Sequence, residues 1–237
     1  MQQKRRESGY KSLEGVLSTE HRAYLHECSI SDEFIDGRPY QTLTNPLRKE
    51  LLKKWGFAPE QLDPEGIVIG RYDVATGEET FPQVRYSETR IGPDGTAYKY
   101  CAPPNSGGVV DVHPDAWERV MKTLEPLWLA ESVKGGDAIY SCGGLAISFF
   151  GVAGYSRDRR IAEALTKVPM RNRVVNIAFD SDIRAAGKRG PLFHLNRLCY
   201  YLVHAQGATV NIAEVPFDVD GSKLGIDDVL PFRGEVR

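Results

Sequence analysis

Four short apolar runs in the second half of the chain constrain its fold more than any other feature. They are "LWLA" (127–130), "AISFF" (146–150), "VVNIAF" (174–179) and "TVNIAEV" (209–215), and each reads as a strand. Helical stretches separate them. "SVKGGDAIYSC" predicts a helix interrupted by two glycines, and "SRDRRIAEALTKV" one with Ile161, Leu165 and Val168 on a single face. "GPLFHLNRLCYYLVHAQG" predicts a third, with Leu192, Leu195, Cys199, Leu202 and Val203 on a stripe and Gly207 as its stop. Strand–helix alternation with near-continuous apolar strands implies a parallel sheet covered on both faces. In such sheets, ligand chemistry gathers beyond the carboxyl ends of the strands.

Acidic residues stand at those ends. Glu131 directly follows the first strand, and Asp180 and Asp182 directly follow the third. Parallel strands put these positions on one edge, where the three carboxylates can converge. Two carboxylates about 5 Å apart repel by roughly 3 kcal/mol at an effective dielectric near 20. A divalent ion relieves that cost, and Mg²⁺ suits carboxylates combined with phosphate substrates. A lone Asp after a strand commonly just caps the next helix. The joint placement of Glu131 with Asp-Ser-Asp is what points to a metal.

Before Pro126 the chain has another character, irregular and rich in turns. "STEHRAYLHEC" predicts a short helix, and "NPLRKELLKKWGF" a second with Pro46 early and Gly56 as its stop. "GIVIGRYD", "TFPQVRYSETR" and "TAYKYCAPP" read as strands, and the turns "ATGEE" and "GPDGT" suggest hairpins. The division falls into residues 1–125 and 126–237.

A net charge of −2 leaves no surface that is basic all over, so any nucleic-acid site must be a local patch. The four cysteines are scattered without zinc-site spacing, which fits reduced thiols in a cytoplasmic protein. No apolar run approaches the roughly 20 residues that span a membrane. "MQQKRRESGYK" has no apolar segment behind it and does not read as a secretion signal. "YSCGGLA" and "VKGGDA" lack P-loop and dinucleotide spacing, so any helicase must be a partner or lie in a longer chain. "SRDRR" is most simply a solvated, basic helix start.

The order strand-Glu, helix, strand, helix, strand-Asp-x-Asp resembles the TOPRIM domain of bacterial-type primases, topoisomerases and some nucleases. From "EPLWLAESVKGGDAI" to "GSKLGIDDVL" the chain more particularly resembles the TOPRIM-like module of phage and plasmid replication proteins. Glu131 and Lys134 match its first motif, with Ser132 where Gly is usual and Gly135–Gly136 where Lys and Ala are commoner. Asp180 and Asp182 match the second. Lys223, Gly225, Ile226, Asp227 and Asp228 match the third, with Leu224 inserted. "GIVIGRYDVATGEETFPQVRY" and "TAYKYCAPPNSGG" are similar to the region that precedes TOPRIM in bacterial primases, where a small sheet turns basic residues toward nucleic acid.

The resemblance implies an α/β fold: a TOPRIM-like parallel sheet flanked by helices, preceded by a small basic α+β domain. It implies metal-dependent nucleotidyl transfer, specifically primer synthesis on a single-stranded DNA template from nucleoside triphosphates. Asp180 and Asp182 would hold Mg²⁺ or Mn²⁺, with Glu131 as a further ligand or as the proton acceptor. Lys134 and Lys223 would offset phosphate charge, while Arg71, Arg85 and Lys99 would contact template or nucleotide. Asp227 and Asp228 would form a second wall of the acidic pocket. The same carboxylates would serve a TOPRIM nuclease, and a decayed site would leave a nucleic-acid-binding accessory module.

Overall fold

The computed structural model describes residues 16–92, 95–104, 106–184 and 189–230. The basic N-terminal stretch read above, and part of the "GPDGT" turn, lie outside the described residues. Helix α1 (Thr19–Glu27) starts at Ser18, whose hydroxyl accepts from His21 N at 3.2 Å. There follow α2 (Asp32–Gly37), β1 (Tyr40–Thr42), α3 (Asn45–Trp55) and α4 (Pro59–Leu62). Helix α3 ends at Gly56, which takes the left-handed φ of 70° that a C-terminal glycine supplies without a Cβ clash. Strands β2 (Gly66–Tyr72), β3 (Glu79–Ile91) and β4 (Ala97–Cys101) join β1 in an antiparallel sheet ordered β1-β2-β3-β4. Strand β2 is interior and buried on both faces. Ile67 and Ile69 pack with Leu25 and Ile30, and Val68 packs with Leu47, Leu51 and Val84.

The second sheet begins with β5 (Asp111–Val112), followed by α5 (Trp117–Lys122). Then come β6 (Leu127–Ala130), α6 (Val133–Ser141), β7 (Leu145–Ser148), a hairpin of β8 (Ser156–Arg157) and β9 (Arg160–Ile161), and α7 (Glu163–Thr166). The chain continues through β10 (Val174–Ala178), α8 (Arg189–Tyr200), β11 (Thr209–Ile212) and α9 (Ile226–Val229). The strand order is β11-β10-β6-β7-β5, parallel throughout except for β5 at the edge. Buried Arg173 closes the end of α5, donating to Val120 O at 2.8 Å and Glu125 O at 2.7 Å. The fold is the α/β class expected, with helices on both faces of a parallel sheet. No helix among the described residues is long and apolar enough to cross a membrane.

One helix expected from the sequence does not form. "SRDRRIAEALTKV" is a tight hairpin followed only by the single-turn helix α7. Asp158 and Arg159 form its turn with left-handed φ of 49° and 61°, the geometry that closes two-residue hairpins. Leu165 and Val168 do reach the core, but from α7 and the turn after it. The periodicity misleads because the turn residues are charged rather than Gly or Asn.

The two faces of the second sheet differ in size. Leu127, Leu129, Leu145, Ile147, Val175 and Ile177 enter the larger core against α5 and α8. Ala130, Ala146 and Ala178 alternate with them and face α6 and α9. This small-residue face lets α6 approach closely. A Cβ at Gly136 would collide with Ser148 Oγ, and one at Gly135 would lie 2.9 Å from Ile226 Cγ2. The glycines in the first motif therefore answer to packing between α6, β7 and α9.

Helix α6 is buried along Val133–Tyr140 and carries a charge into the interior. Asp137 lies 2.7 Å from Arg38 Nε and accepts from Tyr40 Oη at 2.6 Å. Arg38 also makes a two-pronged contact with Asp111, both bonds at 3.0 Å, and donates to Gly70 O at 2.7 Å. All three charged side chains are essentially inaccessible to water. Burial pushes the Asp111 and Asp137 carboxyls up, against the pull of the Arg38 guanidinium. Replacing Arg38 with Met should strand two buried carboxylates and cost about 3–5 kcal/mol, measurable by urea unfolding. A cost below about 1 kcal/mol would mean that the two acids are neutral in the fold.

Candidate active site

Strands β6 and β10 are neighbours in register, with Ala130 paired to Ala178. Glu131 follows that pair by one residue and Asp180 by two, and Asp180 N donates to Glu131 Oε2 at 3.2 Å. The segment that follows β7 steadies the same edge, since Gly151 N donates to Glu131 O at 3.0 Å. Ser132, in place of the usual Gly, caps α6 by accepting from Gly135 N at 3.1 Å. The departure from the motif is thus a helix cap and leaves Glu131 at the strand end.

The third motif is stitched to the second. Ser181 N donates to Leu224 O at 2.9 Å, and Leu224 N donates to Ser181 Oγ at 3.0 Å. Inserted Leu224 is the residue that makes this two-bond clasp. It delivers Lys223 Nζ to 2.7 Å from Asp180 Oδ2 and 3.3 Å from Asp182 Oδ1. One ammonium therefore offsets the repulsion between both aspartates. The two residues of the Asp227–Asp228 pair have different duties. Asp227 pairs with buried Lys134 at 2.6 Å, while Asp228 accepts from Gly225 N at 2.7 Å and caps α9.

A cavity of about 600 Å³ holds most of these groups. Glu131 and Asp180 line it from the ends of β6 and β10, Lys134 from α6, Lys223, Asp227 and Asp228 from the C-terminal segment, and Arg85 and Lys99 from β3 and β4. The fold brings all eight to one cleft, with Asp182 adjoining through Lys223. Lys99 is exposed, whereas the Arg85 guanidinium lies 4.0 Å from the ring centre of Tyr24. Lys134 Nζ lies 5.1 Å from the same ring. Nothing in the helical pattern of α1 marks Tyr24 as the floor between two cations.

One expectation needs correction, and a second residue reaches the cleft with its charge already paired. Arg71 does not face the cleft: it is 1% exposed, donates to Val109 O at 3.0 Å, and lies 5.3 Å from the Phe81 ring centre. It belongs to an interior strand whose register shifts between Ile69 and Arg71, and its charge is spent inside the protein near Asp111. Lys134 lines the cleft but is only 6% exposed, and it is held by Asp227 and by Cys28 Sγ at 3.0 Å. Burial opposes its ammonium, yet Tyr100, Asp227 and Cys28 hold its pKa well above the usual lysine value. A phosphate reaching Lys134 would compete with a buried carboxylate.

Burial, and then the charge of Asp180, push the Glu131 carboxyl up to about 7. Burial also raises Asp180, against the pull of Lys223, and Lys223 is itself raised by the aspartates despite its own burial. Among the described residues, no three His, Cys, Asp or Glu side chains are grouped to hold an ion. The donor chemistry nevertheless fits a hard divalent cation, since two carboxylates already share one positive charge.

The raised Glu131 has a consequence for stability. A carboxyl whose pKa rises on folding stabilises the protein while protonated, so the contribution is present below its ordinary 4.5 and lost as pH rises through about 7. Glu131→Gln is neutral at every pH. With a chelator present, its stability relative to the parent should grow across that window by up to about 3 kcal/mol, read from urea midpoints. Parallel pH profiles would show that Glu131 titrates alike in folded and unfolded chains.

Comparison with known proteins bears on this arrangement. The model of a family described as a domain of unknown function, DUF3854, matches residues 116–236, just over half of the chain. No curated protein matches. The structure is similar to the Aquifex aeolicus primase (zinc-binding and RNA polymerase domains), with a TM-score of 0.60 and 16% identity, over 89% of this chain and 52% of that one. It is similar to the DnaG catalytic core, with a TM-score of 0.57 and 15% identity, over 91% of this chain and 69% of that one. A DnaG primase catalytic domain bound to single-stranded DNA gives a TM-score of 0.56 and 16% identity, over 92% and 69%. This chain thus spans about half the length of the first of these structures and 69% of the other two. At such identities the likeness is one of fold. The chain belongs to the DUF3854 family and folds as the catalytic core of a DnaG-type primase does.

Proposed function

We propose that this chain is a metal-dependent nucleotidyltransferase that makes primers on single-stranded DNA in phage or plasmid replication. The observation that carries the reading is the cleft itself. Carboxylates at the ends of adjacent parallel strands, Glu131 and Asp180 with Asp182, face cationic Arg85 and Lys99 from the antiparallel sheet. An acidic wall for a metal and a basic wall for phosphates are what joining a nucleotide to a strand requires. In this reading an α+β part, residues 1–125, precedes a TOPRIM-like part, residues 126–237. Segment 111–122 of the first part contributes strand β5 to the second sheet and helix α5 to the core packed against it. A replicative helicase, in trans or in a longer chain, would expose the template in the cytoplasm.

Asp180 and Asp182 would hold Mg²⁺ or Mn²⁺, which would supply charge neutralisation at the triphosphate. Lys223 would move from the aspartates to phosphate oxygens when the ion binds, keeping the local charge balanced. Glu131, with its pKa near 7, is matched to accepting the 3′-hydroxyl proton at neutral pH. Arg85 and Lys99 would bind the backbone of template or nucleotide.

Incubation with single-stranded DNA, ribonucleotides and Mg²⁺ or Mn²⁺ tests the reading. New oligonucleotides support it, and shortened DNA would assign the cleft to a nuclease. A second reading, a nucleic-acid-binding accessory module without catalysis, is favoured by the Lys223 ammonium already seated between Asp180 and Asp182. Bound but unchanged DNA would establish that one.

Asp180→Asn combined with Asp182→Asn should abolish synthesis in a folded protein, and full activity in that variant would refute the assignment. Glu131→Gln should lower the rate by roughly 10²–10⁴-fold if Glu131 accepts the proton. Added Mg²⁺ would restore part of the rate only if Glu131 is a ligand. Arg85→Ala with Lys99→Ala should flatten the salt dependence of single-strand binding by roughly 0.7 in log–log slope per lost contact. An unchanged slope would place the template elsewhere.

A further inference from the structure

A second cavity of about 440 Å³ adjoins the cleft, and Tyr98, Tyr100 and Phe150 line both. Two of these rings are exposed although large and apolar, Tyr98 at 37% and Phe150 at 42%. Each is braced from behind. Tyr98 meets Tyr86 edge-on at 5.9 Å between ring centres, and the Tyr86 hydroxyl is fixed by donating to Gln61 O at 3.0 Å. The Phe150 ring has the buried Arg71 guanidinium 5.9 Å from its centre, which accounts for a cation inside the fold that the cleft does not use. Arg90, also on the lining, lies 5.6 Å from the Tyr86 ring centre.

Cationic Arg85 and Lys99 line the cleft and cationic Arg90 lines the second cavity, while Tyr98 and Phe150 line both and so stand on the wall they share. Cation, ring, cation is the alternation of phosphate, base, phosphate along one strand. An apolar peptide would leave the cations unanswered, and a duplex would keep its bases stacked away from the rings. We infer that the second cavity is a subsite for one unpaired nucleobase, held against Tyr98 and Phe150 while Arg90 meets its neighbouring phosphate. The inference rests on the single-strand reading above and adds which side chains hold a base. Stacking of this kind is indifferent to base identity, because every base presents a π face.

The test is a binding scan without nucleotides or metal, so it stands whether or not primers are made. Single-stranded oligonucleotides carrying one abasic site, walked along the strand, are titrated by fluorescence anisotropy. The parent protein should show one position where loss of the base weakens binding by about tenfold. Tyr98→Leu with Phe150→Leu should weaken binding to intact DNA by a similar factor and lose the position dependence. Phe150→Trp should retain both, and thermal melting confirms that each variant is folded. A flat scan in the parent, no binding by the parent, or a scan unchanged in the double variant would each overturn the subsite. Primers made by a protein with a flat scan would overturn the subsite alone, and a positional scan without primers would overturn only the nucleotidyl-transfer reading.

Discussion

The structure depends on helix α6 and the two charges it carries into the interior. Lys134 and Asp137 are one turn apart and both buried, with partners in different parts of the chain. Asp137 is satisfied by Arg38 and Tyr40 of the first part, and Lys134 by Asp227 of the C-terminal segment and Cys28 at the end of α1. An unpaired buried charge costs several kcal/mol, so neither residue is tolerable until the chain has closed from both sides. The helix therefore fixes the antiparallel sheet and the tail relative to the parallel sheet. The cleft lies where those three meet.

Packing sets the position of α6 with similar strictness. The alanine face of β6, β7 and β10, with Gly135 and Gly136 opposite, brings the helix close to the sheet. Ser132 caps the helix immediately after Glu131, so the acid is held between a strand end and a helix start. The same closeness puts α9 against α6 through Ile226, and with it the tail that carries Lys223. Residues that look like departures from a motif are thus the ones that fit this chain's own packing.

The cleft is also balanced in charge. Lys223 answers Asp180 and Asp182, and Lys134 answers Asp227, while Glu131 relieves its position by holding its proton up to about pH 7. A bound anion or cation would redistribute these pairings rather than meet bare charges. The site is stable as it stands and still able to exchange partners, because Lys223 and both aspartates retain contact with water.

Much of the architecture was legible locally. The order of the parallel strands' ends and the acids beyond them follow from apolar runs and their punctuation, which involve a few neighbouring residues. The β8–β9 hairpin was not legible, because Asp158 and Arg159 carry no ordinary turn signature; α2, β1 and β5 are too short to show a period. Sequence alone determined which side chains leave the strand ends, and so which edge of the sheet is acidic. Tertiary structure decided which cations face that edge. It turned Arg71 inward, gave Lys134 a partner 93 residues away, and exposed Tyr98 and Phe150 on a shared wall. The reason is physical: periodicity reports which face a residue takes, whereas the partner of a buried charge is chosen by burial, which no local stretch of chain contains.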